Sequence, residues 1–225
     1  MSDLKFDAVL FDCDGVLVNS EPITNGVLRD MLEESGWLLS PAECIEIFLG
    51  KAVLDERALI EEKTGRPVTE AWMADFRARR NAGLLHALQP IRNVVQAVAR
   101  IHAHFEGRIA CASGADRVKV ELQLDKCGLM PYFTDRIFSG HEMPRSKPAP
   151  DVYLAAAAAL GVAPQRCAVV EDTITGATSG VAAGATVFGY SPPEAGHHSP
   201  AALRHIGVHT IFEDMADLPG LLGVA

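Results

Sequence analysis

Two aspartates stand two positions apart directly after the first apolar run of the chain. Residues 6–11 are Phe, Asp, Ala, Val, Leu and Phe, and Asp12-Cys13-Asp14-Gly15 follows. Such a run is typical of a buried strand in a parallel sheet. Because side chains alternate along an extended chain, Asp12 and Asp14 can point the same way at the strand's carboxyl end. Two neighbouring carboxylates can divide a reaction between a nucleophile and a proton-transfer group.

Three further sets of reactive groups follow later apolar runs or precede a helix. They are Ser113 with Gly114 after the run 107–112, Glu171 with Asp172 after 167–170, and Lys147 in a loop ahead of a helix. In a doubly wound sheet, ligands bind beyond the carboxyl ends of the strands. The pattern therefore predicts that these side chains share one pocket with the first two aspartates.

Such a pocket would hold four carboxylates: Asp12, Asp14, Glu171 and Asp172. Like charges about 4 Å apart repel by about 4 kcal/mol per pair at an effective dielectric constant near 20, so the cluster requires a cation. A ligand set made only of oxygen atoms selects a hard divalent ion. We expect Mg²⁺, with Mn²⁺ and Co²⁺ left open by the pattern.

Phosphoryl transfer is the chemistry that this set of groups predicts. Mg²⁺ and Lys147 would neutralise a phosphoryl group, and the Ser113 hydroxyl with the backbone N–H groups of Gly114 and Cys13 would donate further hydrogen bonds. Asp12 would attack phosphorus and form an aspartyl-phosphate. Asp14 would protonate the leaving oxygen and then take a proton from the hydrolytic water. The hypothesis is a Mg²⁺-dependent phosphatase that acts on a small phosphorylated metabolite.

The elements that must position these groups alternate between strands and helices. After the first strand, strand-like runs occupy 107–112, 136–139, 167–170 and 186–190, with helical patterns between them. Parallel strands need crossover connections of about this length. The alternation predicts an α/β fold with a doubly wound parallel sheet.

The interval 19–88 has a different character. It contains amphipathic helical patterns and no strand pattern, and Ser40-Pro41-Ala42-Glu43 has the form of a capping box at a helix start. We therefore predict an α/β core domain from residues 1–18 and 89–225, with an all-helical cap domain inserted at 19–88. Rigid-body closure of the cap about its two connections is the expected motion.

The reactive groups together resemble the four motifs of the haloacid dehalogenase superfamily, in order and spacing. The resemblance covers nearly the whole chain and implies a Rossmann-like core with a helical cap, as in the β-phosphoglucomutase-like branch. It implies that Asp12 is the nucleophile, Asp14 the general acid and base, and Ser113 and Lys147 the phosphate binders. It also implies that Asp12, the Asp14 carbonyl and Asp172 hold Mg²⁺, with Glu171 as a further ligand or directly behind the ligands.

The substrate is predicted from the same resemblance. The strings around Asp12 and at 138–142 are similar to bacterial sugar-phosphate phosphatases, including 6-phosphogluconate phosphatase, which implies a sugar or sugar-acid phosphate. Lys51, which follows Gly50, is predicted to meet an anionic group of the substrate.

Two alternatives accompany this hypothesis. β-Phosphoglucomutases carry a histidine twelve residues after the nucleophile, where this chain has Thr24, and an arginine near the position of Val53. These differences favour net hydrolysis over a phosphosugar mutase. A non-enzymatic receiver domain also combines an acidic pocket, a phosphorylated Asp and a Lys, but it needs neither Asp14 nor the helical insertion.

Composition excludes several other classes. Twenty basic and twenty-nine acidic side chains give a net charge of −9, which disfavours nucleic acid and anionic membranes as partners. No apolar run approaches the roughly 20 residues of a membrane span. We expect a cytoplasmic protein that is a monomer or a weak dimer. The five cysteines have no close pairing pattern and predict buried, reduced thiols, and His197 and His198 are predicted to lie in an exposed loop without a metal.

Overall fold

A single parallel sheet organises the computed structural model, which describes residues 5–193 and 197–224. Within these residues the sheet has six strands in the order β3-β2-β1-β4-β5-β6. The strands are β1 Ala8–Phe11, β2 Ile109–Ser113, β3 Ile137–Ser139, β4 Cys167–Glu171, β5 Thr186–Tyr190 and β6 Thr210–Phe212. The predicted α/β class is confirmed.

The first strand lies in the middle of the sheet, and both of its faces are buried. Val9 and Phe11 pack into one large hydrophobic cluster, and Ala8 and Leu10 pack into a second cluster on the opposite face. Strands covered by helices on both faces read as continuous apolar runs, as β1 does. This burial holds the residue after Phe11 rigidly at the carboxyl edge of the sheet.

Helices surround the sheet and fill the interval between β1 and β2. The α-helices are α1 Glu21–Glu34, α2 Pro41–Phe48, α3 Arg57–Thr64, α4 Glu70–Ala87, α5 Val94–His104, α6 Arg117–Lys126, α7 Met130–Phe133, α8 Asp151–Ala159, α9 Ile174–Ala182, α10 Pro200–His205 and α11 Leu218–Leu221. In the described residues, no helix combines the length and the apolar character that a membrane crossing requires.

Helices α1 to α4 bury a hydrophobic cluster separate from the two at the sheet, with Leu32, Phe48 and Phe76 among its members. The predicted capping box at the start of α2 is present, since the Ser40 and Glu43 side chains each accept the backbone N–H of the other. The division into a core of 1–18 and 89–225 and a cap of 19–88 remains a prediction, and this separate cluster supports it.

The two connections between α1–α4 and the sheet lie side by side. The Asn19 N–H donates to the Gln89 carbonyl at 3.0 Å, and the Ile91 N–H donates to the Leu17 carbonyl at 3.1 Å. We propose that this paired ribbon is the hinge of the predicted cap.

The observed elements differ from the predicted ones in one additional strand and in the bounds of several strands. Strand β6 was not predicted, because it has only three residues and two of them are partly exposed. Strands β2 and β4 each extend one residue further, so Ser113 and Glu171 are the last residues of their strands.

Candidate active site

Three neighbouring strands bring the predicted residues to one edge of the sheet. Strand β1 pairs with β2 on one side and with β4 on the other. Asp12, Ser113 and Glu171 therefore stand at adjacent strand ends. They line a cavity of about 560 Å³ together with Asp14, Gly114, Lys147 and Lys51.

Lys147 occupies the centre of the site. Its Nζ donates to Asp12 Oδ1 at 2.7 Å, to Glu171 Oε1 at 2.6 Å and to the Tyr153 hydroxyl at 3.0 Å, and it lies 4.7 Å from the centroid of the Tyr153 ring. Burial would lower the pKa of Lys147, but the Asp12 and Glu171 carboxylates raise it above its usual value. The ammonium group therefore stays charged beside Asp12, where it can meet an anion.

Glu171 is engaged through both carboxylate oxygens. Its Oε1 accepts from Lys147 and from the Tyr153 hydroxyl at 2.7 Å, and its Oε2 accepts from the backbone N–H of Asp172 at 3.1 Å. Helix α9 begins against this carboxylate, because a Cβ at Gly176 would lie only 1.7 Å from Oε1. These contacts orient Lys147 and leave Glu171 better suited to support the site than to bind a metal directly.

The buried carboxylates repel one another. Ligand oxygens of Asp12, Glu171 and Asp172 all lie within 4.8 Å of one another. Burial raises the pKa of Asp12 well above its usual range, Lys147 offsets this only in part, and the other carboxylates raise it further. Burial and the Glu171 charge likewise raise the pKa of Asp172. A cation at this cluster would stabilise the ionised form that Asp12 needs as a nucleophile.

The residues present fit a hard divalent cation. Asp172 Oδ1 is buried, and within the described residues it has no hydrogen-bond partner; Thr24 Oγ1 is the one other such atom. Buried carboxylate oxygens are normally paired or bound to a metal. Gly15 approaches the other oxygen closely, since a Cβ there would lie 2.2 Å from Asp172 Oδ2. The donor set consists of oxygen atoms, as Mg²⁺ prefers.

Asp14 is held by three donors that converge on one oxygen. Its Oδ1 accepts from the Ser20 hydroxyl, from Lys119 Nζ at 2.7 Å and from Gln123 Nε2 at 2.8 Å. Burial alone would raise the pKa of Asp14, but the Lys119 charge and the three hydrogen bonds lower it to about 2. Asp14 is therefore an oriented carboxylate at neutral pH in this structure.

Ser113 and Gly114 line the same cavity at the end of β2, beside β1. Ser113 Oγ accepts from the Ala115 backbone N–H at 3.0 Å. Because the hydroxyl oxygen is the acceptor in this bond, its O–H can still donate to an anion in the cavity.

Lys51 reaches the cavity from the helical segment. Its Nζ pairs with Glu56 Oε1 at 2.9 Å, and its side chain is 45% exposed. Gly50 packs closely on the sheet side, since a Cβ there would lie 3.2 Å from the Thr173 side chain and 3.6 Å from the His198 ring. The loop that carries Lys51 thus lies directly above the carboxyl edge.

The prediction that His197 and His198 lie in an exposed loop is wrong, because these residues pack against the acidic cluster. His197 Nδ1 lies 3.1 Å from Asp172 Oδ2, and the two side chains are 8% and 1% exposed. The loop folds over the acidic cluster because His198 donates its backbone N–H to the Asp172 carbonyl at 3.3 Å. The sequence around the two histidines carries no apolar pattern that would have predicted this burial.

Other site residues were also missed by the sequence analysis. Lys119 and Gln123 lie on the buried face of α6, and Tyr153 lies on α8. Lys119 is three residues after Asp116, whose side chain accepts the Lys119 backbone N–H and pairs with Arg80 of α4 at 3.0 Å. A charged residue facing inward on a predicted helix is the signal that could have found Lys119.

The sequence profile of the haloacid dehalogenase-like hydrolases matches residues 6–184. The chain belongs to the haloacid dehalogenase-like hydrolase family. The haloacid dehalogenase-like assignment made from the four motifs is thereby confirmed. The matched residues include Asp12, Ser113 and Glu171 at the three strand ends of the site.

Several curated relatives of this haloacid dehalogenase-like chain are named phosphatases. It is 28% identical to 6-phosphogluconate phosphatase of Escherichia coli (strain K12) over 218 residues, which are 96% of this chain and 95% of that protein. It is 29% identical to fructose-1-phosphate phosphatase of the same organism over 196 residues, 80% of this chain and 94% of that one. The predicted enzyme class, a phosphoric monoester hydrolase, is confirmed, and a receiver domain is excluded.

A solved structure has the same fold. A haloacid dehalogenase family hydrolase from Deinococcus radiodurans R1, solved with bound phosphate and sodium, superposes with a TM-score of 0.80 at 32% identity. The match covers 98% of this chain and 96% of that one.

Proposed function

We propose that this hydrolase is a Mg²⁺-dependent phosphatase of sugar or sugar-acid phosphates, with 6-phosphogluconate as the first candidate, and that Asp12 is transiently phosphorylated. One observation carries the proposal: the buried Lys147 ammonium bridges Asp12 and Glu171 at the edge where one Asp172 oxygen has no hydrogen-bond partner among the described residues. The arrangement supports Asp12 as a nucleophile that has one fixed cation, Lys147, at its side and a site for a second cation nearby.

Mg²⁺ held by Asp12, Asp172 and the Asp14 carbonyl would supply the positive charge that neutralises the phosphoryl oxygens. The remaining roles belong to side chains of the chain itself. Lys147 and the Ser113 hydroxyl bind two phosphoryl oxygens, and Glu171 keeps the Lys147 ammonium directed at the phosphoryl group. The phosphate in the solved D. radiodurans relative supports a phosphate subsite of this kind.

The reaction proceeds in two halves. An Asp12 carboxylate oxygen forms a bond to phosphorus while the bond from phosphorus to the leaving oxygen breaks, and Asp14 transfers a proton to that oxygen. Water then attacks the aspartyl-phosphate, Asp14 takes up a proton from the water, and phosphate and the Asp12 carboxylate are released. Asp14 is ionised in the structure, so it must gain a proton before it can act as the acid of the first half-reaction. The ionised form is the one that acts as the base in the second half-reaction.

The donors around Asp14 fix its orientation for both halves. Ser20, Lys119 and Gln123 all bind Oδ1, so the carboxyl group has a fixed rotation about its Cβ–Cγ bond. Proton transfer requires a group held within hydrogen-bond reach of the reacting oxygen. We assign Lys119 and Gln123 to this orienting role.

The far wall of the cavity supports a polyhydroxylated leaving group. It combines polar side chains of α1, among them Glu21, Thr24 and Asn25, with the apolar Leu28 and Phe48. Thr24 Oγ1, buried without a partner in the described residues, can bond a substrate hydroxyl. Lys51 would leave Glu56 to meet a carboxylate or second phosphate of the substrate. The phosphatase relatives named for sugar and sugar-acid phosphates support this class.

Hydrolysis is favoured over mutase activity. The position twelve residues after the nucleophile is Thr24, which has no basic nitrogen to take a sugar hydroxyl proton. A monomer or weak dimer in the cytoplasm, with no nucleic acid or membrane partner, remains our expectation.

A substrate panel tests the proposal. Phosphate release would be measured from sugar phosphates, sugar-acid phosphates and nucleotides, with and without Mg²⁺, for the wild type and for Asp12→Asn. Mg²⁺-dependent release that is fastest for sugar or sugar-acid phosphates and lost in Asp12→Asn is the expected result. Release from nucleotides alone would refute the substrate class, and activity retained in Asp12→Asn would refute the nucleophile.

A further inference from the structure

The two oxygens of Asp172 have different surroundings. Oδ2 lies 3.1 Å from His197 Nδ1, and it also faces Gly15, where a Cβ would come within 2.2 Å of it. Oδ1 is buried and has no hydrogen-bond partner in the described part of the chain. One oxygen is thus tied to the protein, and the other is left available to a ligand.

The His197 ring is itself held in place. It contacts the ring of Tyr190 edge-on, with centroids 5.4 Å apart and an interplanar angle of 82°. The next residue fixes the backbone, because the His198 N–H donates to the Asp172 carbonyl at 3.3 Å. The loop therefore binds Asp172 at both its side chain and its main chain.

Fixing one oxygen of a carboxylate fixes the other. Without a donor at Oδ2, rotation about the Cβ–Cγ bond would let Asp172 turn Oδ1 away from Asp12. Residues that hydrogen-bond to metal-binding side chains orient them, and losing such a partner typically weakens metal binding 10- to 100-fold. A neutral imidazole with its proton on Nδ1 suffices as the donor.

We propose that His197 is a positioning residue of the metal site, which donates from Nδ1 to Asp172 Oδ2 and so directs Asp172 Oδ1 at the bound cation. This inference rests on the proposed function for the existence of the metal site. It goes beyond it by giving the loop that covers the site a defined task in metal affinity.

Metal binding in the absence of substrate tests the proposal. Mn²⁺ affinity would be measured by electron paramagnetic resonance and Mg²⁺ affinity by calorimetry for the full chain. His197→Ala is expected to weaken both by 10- to 100-fold. His197→Asn is expected to recover most of the affinity, because its amide nitrogen can occupy the position of Nδ1.

His198→Ala is the matched control. Its ring accepts from the Ile174 N–H at 3.4 Å, and its bond to Asp172 is made by the backbone, which the substitution keeps. Its metal affinity is expected to stay within about twofold of the wild type, which shows that loop disruption alone does not weaken binding. Circular dichroism would establish that each variant is folded.

The outcomes separate the inference from the proposed function. Wild-type affinity in His197→Ala would overturn the positioning role, as would an equal loss in His198→Ala or in His197→Asn. A wild type that binds the metals but releases no phosphate would refute the proposed reaction and leave the role of His197 standing. A wild type that binds neither metal would overturn both.

Discussion

Lys119 Nζ lies 2.7 Å from Asp14 Oδ1, and the two side chains are only 8% and 16% exposed. The pair joins α6 to the turn after β1, more than one hundred residues earlier in the chain. Removing one partner of an ion pair this buried is costly, because the other charge then stays buried without a partner. The orientation of Asp14 therefore depends on α6.

Replacing Lys119 tests this dependence. Lys119→Met removes the ammonium that lowers the pKa of Asp14, so that pKa should rise from about 2. The expected result is a fall in kcat of about 10- to 100-fold with a smaller change in KM, since proton transfer contributes about 10²- to 10⁴-fold. The acid limb of the pH–rate profile should also move to higher pH.

Lys126→Met is the control for Lys119→Met, because Lys126 lies on the exposed part of the same helix. Its kinetics should match the wild type. An unchanged kcat and pH profile in a folded Lys119→Met would contradict the orienting role.

The acidic cluster should destabilise the metal-free protein at neutral pH. Burial raises the pKa values of Asp12 and Asp172 above the usual 3.8. A carboxyl group with a raised folded-state pKa binds more protons in the folded state, so stability is highest below the unfolded pKa and falls as pH rises through the folded pKa. The Tm of metal-free protein should accordingly rise in Asp172→Asn and depend less on pH above 3.8.

A divalent metal should offset the destabilisation by the buried carboxylates in the wild type but not in Asp172→Asn. A ligand at 100 times its Kd adds about 2.7 kcal/mol to the unfolding free energy. Differential scanning fluorimetry with Mg²⁺ should therefore raise the Tm of the wild type and leave Asp172→Asn nearly unchanged. Equal Mg²⁺ shifts in both proteins would place the metal elsewhere.

Gly15 should tolerate no side chain. Its φ is +76°, and a Cβ would lie 2.2 Å from Asp172 Oδ2. Gly15→Ala is expected to weaken Mn²⁺ binding at least 10-fold and to destabilise the fold. Gly36→Ala is the control, because Gly36 also has a positive φ, +95°, but a Cβ there would have no described residue within 4 Å apart from its chain neighbours. If both variants lost stability and bound Mn²⁺ with equal affinity, Gly15 would be required only for its backbone conformation.

Lys51 should discriminate between substrates by charge. Lys51→Ala is expected to raise KM about three- to tenfold for a sugar-acid phosphate and to change KM little for a neutral sugar phosphate, because an interaction of about 1.4 kcal/mol corresponds to a tenfold change in binding. Lys63→Ala, an exposed residue of α3, should behave like the wild type. Equal effects of Lys51→Ala on both substrates would argue against contact with the anionic group.

The strand-end residues could be predicted from sequence because parallel strands share one edge. Once β1, β2 and β4 are recognised as apolar runs, Asp12, Ser113 and Glu171 have to come together. The pairing of the strands thus brings residues that are distant in sequence together in one site.

The contacts of Lys119 and His197 could not be predicted in the same way. The helical pattern could have marked Lys119 as an inward-facing charge, but not its partner Asp14, which is distant in sequence. His197 lies in a segment without apolar periodicity, and it is buried only because the loop folds over Asp172. Both depend on packing between elements, which periodicity does not encode.

Trapping the phosphorylated enzyme is the decisive test of Asp12 as the nucleophile. Wild-type protein would be mixed with Mg²⁺ and a turned-over sugar phosphate, quenched in acid within milliseconds and digested for mass spectrometry. One added phosphoryl group is expected on the peptide that contains Asp12, sensitive to hydroxylamine and missing from Asp12→Asn. Rapid turnover with no labelled peptide, or a label on another residue, would contradict that role of Asp12.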